Sequence, residues 1–269
     1  MTPELLASLA VPLPEGRVMT SDEGDGAVRP LWLSDAPASA ELWALLLAQH
    51  GTSGLWPLLL DAHDPDDDDF RPWGSGELFP ERMASPDAYD PASLLERWWG
   101  EYTEADEDDD VLTPDERLGV TASSGQAWPR PVPRHEPAIP PDELAAQFAQ
   151  VFTEQHPQAR LGLVAADCGA HTLTVLGWDG PANYDNTAKF AAVIRDWENR
   201  FGARVVAVGF DTLHLSVAAP PMNTEDALLT AAEHFAFCPD NVWQGTPPCT
   251  LAAYAERIVG MNNWNFWWD

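Results

Sequence analysis

"DNTAKFAAVIRDWENRFGARVVAVGFDTLHLSVAAP", residues 185–220, carries two periodicities in one run. Phe190, Val193, Ile194 and Trp197 recur at helical spacing, so the first part predicts an amphipathic helix that Gly202 can stop. Beyond the glycine the spacing changes. "RVVAVGF" and "TLHLSVAAP" are short apolar runs rich in β-branched residues, joined at Asp211 and ended by Pro220 and Pro221. They read as a strand pair. Helix stripe and strands together place Trp197, Phe201, Val206, Val208, Leu213 and Leu215 in one core.

The flanks extend this unit. Upstream, "PDELAAQFAQVFTEQH" (141–156) predicts a helix, and "RLGLVAAD" and "HTLTVLGW" predict two strands around a "CGA" turn. Downstream, "NTEDALLTAAEHFAFC" (223–238) predicts a helix capped by Asn223 or Thr224, and "TLAAYAERIVG" (250–260) a last one. The order β-β-α-β-β-α-α predicts an α/β fold of the α+β type: a two-layer mixed or antiparallel sheet with helices on one face.

The first half reads as a smaller acidic α/β region. "VRPLWLSD" (28–35) and "LWPLLLDA" (55–62) have strand length, and "ASAELWALLLAQHG" between them predicts a helix with Gly51 as its cap. "DPASLLERWWGEY" (90–102) predicts another, with Asp90 as N-cap and Pro91 in the first turn. Five prolines between 129 and 140 favour an extended linker, so the expected organisation is 1–120, a linker over 121–140, and 141–269.

Charge narrows the function classes. Lys+Arg number 14 against 43 Asp+Glu, a formal net charge of −29. Residues 1–140 hold 8 arginines and 28 acids, concentrated in "DAHDPDDDDF" (61–70) and "EADEDDD" (104–110). Such a surface repels phosphate backbones and anionic lipid, which argues against direct nucleic-acid or membrane binding and for a basic protein partner. Neither acidic run is an EF-hand loop. Counted from Asp64, positions six and twelve are Asp69 and Ser75; counted from Asp106 they are Val111 and Arg117, where glycine and glutamate are required. Three cysteines without dense spacing, no basic apolar leader and no long apolar run predict a cytoplasmic, reduced protein.

"GWDGPANYDNTAKFAAVIRDWENRFGARVVAVGFDTLHLSVAAPP", "AAEHFAFCPDNVWQG" and the closing "NFWWD" resemble an actinobacterial family known as domain of unknown function 4253, over roughly residues 160–269. The resemblance implies a domain type. It implies no activity, ligand or site residue.

Within "AAEHFAFCPDNVWQG", His234 and Cys238 share a helix face, with Asp240 close behind. The chemical reading is a thiol–imidazole site with a carboxylate, which would make the protein a small-molecule hydrolase. The structural reading, favoured by the frequent burial of free cysteine, is the buried end of a helix stopped at Pro239. No CxxC, HxxxH, phosphate loop or nucleotide fingerprint occurs, so neither metal nor cofactor is expected. Asp179, Asp185, Asp211 and Asp240 fall near expected element ends, where capping aspartates and site residues both sit. His171 and His214 read as structural. Trp264, Trp267 and Trp268 of the tail, with Trp243, are the candidate binding aromatics, but packing over the sheet or into an interdomain groove is the favoured reading for the tail, and "NFWWD" is expected to dock intramolecularly. The expected function is a non-enzymatic protein-binding module, with an immunity or antitoxin-like role as one version and DNA mimicry as another use of the acidity.

Overall fold

Apolar runs of strand length alternate with amphipathic stretches along the whole chain, and most become elements of one mixed sheet with helices around it. The computed structural model describes residues 1–23, 26–64, 67–104, 114–122 and 127–269, with backbone alone for 114–116. The acidic run at 104–110 lies, from residue 105, outside the described residues. In chain order the elements are α1 (Pro3–Ala7), β1 (Gly16–Met19), β2 (Leu31–Pro37), α2 (Ala40–Ser53), β3 (Leu55–Leu60), α3 (Pro91–Thr103), α4 (Pro114–Thr121) and α5 (Pro141–Gln155). Then follow β4 (Arg160–Ala165), α6 (Gly169–Leu176), α7 (Thr187–Phe201), β5 (Ala203–Val208), β6 (Thr212–Val217), α8 (Thr224–Phe237), α9 (Asp240–Trp243), α10 (Leu251–Ile258) and β7 (Asn263–Trp267).

The strands lie in the order β1-β2-β4-β3-β5-β6-β7. Only β3 and β5 run parallel; the other neighbours are antiparallel. This is the α/β class with a mixed sheet. The expected boundary at 121–140 does not divide it into two cores. β4, from the second half, sits between β2 and β3 from the first, with Val164 opposite both Leu31 and Trp56. The proline-rich stretch is pinned as well: Val132 is buried, its N–H donates to Glu233 at 3.2 Å, and its carbonyl accepts from Arg200 at 3.0 Å.

Helices cover both faces rather than one, giving three layers where two were expected. Successive strand residues face opposite sides. His214 of β6 meets Phe152 of α5 at 5.0 Å between ring centroids. Leu213 and Leu215 instead lie beside Phe266 and Trp264 of β7, and those two rings pack on Trp197 of α7. So α5, with α2 against it, lies on one side and α7 on the other. Trp197, Phe201, Val206, Val208, Leu213 and Leu215 are all fully buried.

Two local expectations fail for identifiable reasons. "HTLTVL" is not a strand but most of α6. Its alternation is incidental, because Ala170, Leu173 and Leu176 also repeat at helical spacing and burial on most sides removes the polar face. Its threonine hydroxyls bond back one turn, Thr172 to Gly169 O at 2.6 Å and Thr174 to His171 O at 3.0 Å. Gly177 ends the helix in the left-handed region. Similarly, α2 runs through Gly51 and ends at Gly54, whose φ is +67°. Among the described residues no helix is long and apolar enough to cross a membrane.

Candidate functional site

The residues singled out around His234 tie the tail to the core. His234 is fully buried, with Nδ1 3.0 Å from the Tyr254 hydroxyl and its ring against Trp264, Phe266 and Trp197. Burial pushes its imidazole down to about 3, so it is neutral at physiological pH. The Cys238 thiol, raised by burial, donates to Trp267 O at 2.9 Å. The Asp240 carboxylate accepts from the Tyr184 hydroxyl at 2.6 Å and from Asp269 N at 3.1 Å. The adjacent Asn241 acts as a one-residue strand: its amide donates to Asn265 O at 2.7 Å and accepts from Trp267 N at 3.3 Å. Together Cys238 and Asn241 cover the outer edge of β7, which would otherwise offer unpaired backbone groups.

That arrangement re-sorts the candidates. His234, Cys238 and Asp240 are brought close together, but each is buried and engaged in holding the tail. Of the four binding aromatics, Trp264 and Trp268 are buried in the core, and Trp243 is half-buried against Tyr102 and Phe235. Trp267, 36% exposed, is the most open of the four.

A more open site lies just beyond the carboxyl ends of the parallel pair β3 and β5. This end of a parallel pair is where α/β sheets collect ligands, since the following loops diverge there. A cavity of about 320 Å³ is lined by Arg71, Glu77, Phe79, Trp178, Asp179 and Asn183, with Phe210 from the turn after β5. Arg71 lies over the Phe210 ring at 5.1 Å, and its Nε is 2.7 Å from both Glu77 oxygens. The Trp178 indole is fixed by the carbonyls of Gly209 and Phe210 at 2.9 and 3.1 Å. Burial raises the Asp179 carboxyl, against a weaker opposing pull from Arg82. Near the same strand end, Asp61 Oδ2 lies 2.6 Å from His156 Nδ1, and the His156 ring stacks on Phe152.

Residues 160–269 match the family model of a domain of unknown function, DUF4253. Neither the curated proteins nor the solved structures give a match. The DUF4253 segment supplies β4 through β7 and the Trp178, Asp179, Asn183 and Phe210 walls of the cavity; Arg71, Glu77 and Phe79 come from outside it. The tail latch, by contrast, is built almost wholly within DUF4253.

Sequence reading reached Asp179 only as one of several aspartates at element ends. Arg71 and Glu77, six residues apart, form no motif that marks a site, and the Asp61–His156 pair escaped it because 95 residues separate the partners. The one usable signal was Asp61 directly after the apolar run "LWPLLL". A second, partly buried pair was equally silent: the Cys168 thiol donates to Glu198, which also accepts from Ala170 N at 3.0 Å. Burial pushes Cys168 up to about 12 and Glu198 up to about 7. A thiol held that high is protonated and a poor nucleophile. Among the described residues no group of three or more His, Cys, Asp or Glu is arranged to hold a metal ion.

Proposed function

We propose that the chain is a protein-binding module that captures a basic protein partner through its acidic surface, an immunity or antitoxin-like role being one form of this. The observation that carries the reading is how the scarce cations are used. Among the described residues, at least nine of the 13 arginines and Lys189 are already ion-paired with carboxylates of the same chain. Much of the remaining surplus faces solvent, with Asp68, Asp69, Glu96, Glu104, Glu143 and Glu256 all exposed. An uncompensated field of this kind steers an oppositely charged protein and raises its association rate, more than it adds to final affinity.

The test is capture from lysate by the intact chain across a salt series. The expected partner is basic, and its recovery falls as salt rises from low to physiological and beyond, because screening acts at about 8–10 Å under those conditions. Recovery independent of salt, or no partner at low salt, would remove the reading. The hydrolase alternative would have to rest on Asp61 and His156 rather than on His234 and Cys238. Ester or amide turnover by the intact chain that is lost in His156→Ala would favour it.

A further inference from the structure

The Asp179 carboxylate has a partly buried place in the cavity wall and no side-chain partner. Its backbone carbonyl accepts from Ala182 N, but among the described residues no hydrogen bond or ion pair reaches its carboxylate oxygens. The other two ionised groups of the wall, Arg71 and Glu77, cancel each other. Arg82, the nearest further cation, stacks on Phe79 and is paired with Glu23. The Asp179 charge is therefore left with no direct partner in the cavity, only the longer-range pull of Arg82.

We propose that this cavity takes a single arginine side chain of the basic partner, held by the Asp179 carboxylate and the Asn183 amide oxygen. The inference rests on the reading of the preceding subsection and names its anchor. Two observations support arginine. The Asn183 amide is oriented by donation to Asp269 O at 3.2 Å, which leaves its Oδ1 as a second acceptor beside Asp179. A planar guanidinium with five donors can use two separated acceptors, whereas an ammonium is a point charge. The ring faces of Phe210 and Phe79 are already covered by Arg71 and Arg82 at 5.1 and 4.4 Å, and Trp178 is buried, so polar groups rather than rings would hold the guest. The cavity, about 320 Å³, lies at the small end of ligand sites and fits one long side chain rather than a folded segment. Exposed Asp68 and Asp69, just before Arg71, supply the long-range attraction.

The probe is N-acetyl-arginine N-methylamide, titrated into the full chain while the Trp178 indole N–H resonance is followed. The lysine and the neutral citrulline analogues are compared. Saturable shifts are expected with arginine, weaker binding by several-fold with lysine, and none with citrulline. Asp179→Asn should weaken the arginine probe at least tenfold, and Asn183→Ala several-fold. Asp179 holds no structural bond through its carboxylate, so its variant should melt as the native chain does; if it does not, the Asn183→Ala and citrulline comparisons still decide. Absence of saturable arginine binding, or equal binding to Asp179→Asn, overturns the proposal. If the pocket fails in this way while capture of the partner stays salt-sensitive in Asp179→Asn, the surface reading stands alone. If the probe binds as expected but capture is salt-independent, the surface reading fails and the pocket survives.

Discussion

Glu198 is a carboxylate placed where its charge is costly. It faces the start of α6, where Ala170 N and the Cys168 thiol donate to it, yet burial outweighs both and lifts it to about 7. The ordinary value is 4.5, so the folded state binds more protons than the unfolded one between about 4.5 and 7. This contribution is fully present below 4.5 and is lost as pH rises through 7. Glu198→Gln keeps an acceptor for Ala170 and removes the titration. The variant should gain about 1–3 kcal/mol over the native chain at pH 8 and little at pH 4.5, read by chemical denaturation at both values. An equal effect at both would mean the carboxylate is not desolvated. His234 works in the opposite direction. Its lowered value favours the folded state above 6.5, and that favour fades as pH falls toward 3. Only the difference between variant and native chain isolates Glu198. Neither effect could be read from sequence, since both depend on neighbours that no local pattern names.

Element ends show where sequence logic holds and where it slips. Asp90 caps α3, accepting from Ser93 N at 2.9 Å, and Asn223 caps α8 in the same way. These short-range bonds are local, so the residue type alone announces them. Glycine is more ambiguous. Gly51 and Gly54 lie one turn apart at the end of α2, but only Gly54 has positive φ. A Cβ at Gly51 would meet no atom within 4 Å. Gly51→Ala should therefore stabilise by about 0.5–1 kcal/mol through helix propensity and the unfolded chain. Gly54→Ala should cost about 1–2 kcal/mol for the left-handed conformation. Thermal melts of the two variants with shifts of the same sign would contradict the assigned helix end. The tail was legible only in part. Its aromatic content predicted docking, and it does dock, as β7. That it completes the sheet beside β6 depends on pairings such as Thr212 with Trp267 and Ser216 with Asn263, 55 and 47 residues apart, and the closing of its edge on Asn241 bonds 24 and 26 residues apart.

At the scale of the whole molecule, the sequence misleads about division and is sound about class. The shift in charge and the prolines near 130 suggest a linker, and composition carries no trace of strand order. Yet β4 lies between β2 and β3, and Trp56 of β3 donates from its indole to Val205 O of β5 at 3.0 Å, across the expected boundary. Glu233 makes the same point in the core. It is 1% exposed and is satisfied by Trp197, Arg200 and the N–H of Val132, the last from the supposed linker. A buried carboxylate needs such a complete set, because leaving one member out exposes an uncompensated charge to the core. Residues 141–269 in isolation would therefore keep β5, β6 and β7 but lose both neighbours of β4, together with the parallel pairing that leads into the cavity. Leu161, Leu163 and Val164, all buried in the intact chain, would face solvent on an unpaired strand. The expected outcome is that this fragment shows no cooperative thermal transition. Co-expression with residues 1–140 should restore one, since the missing strands can pair in trans. A cooperative transition in the isolated fragment, near the temperature of the full chain, would show that the second half folds by itself and that the interleaving contributes little to stability.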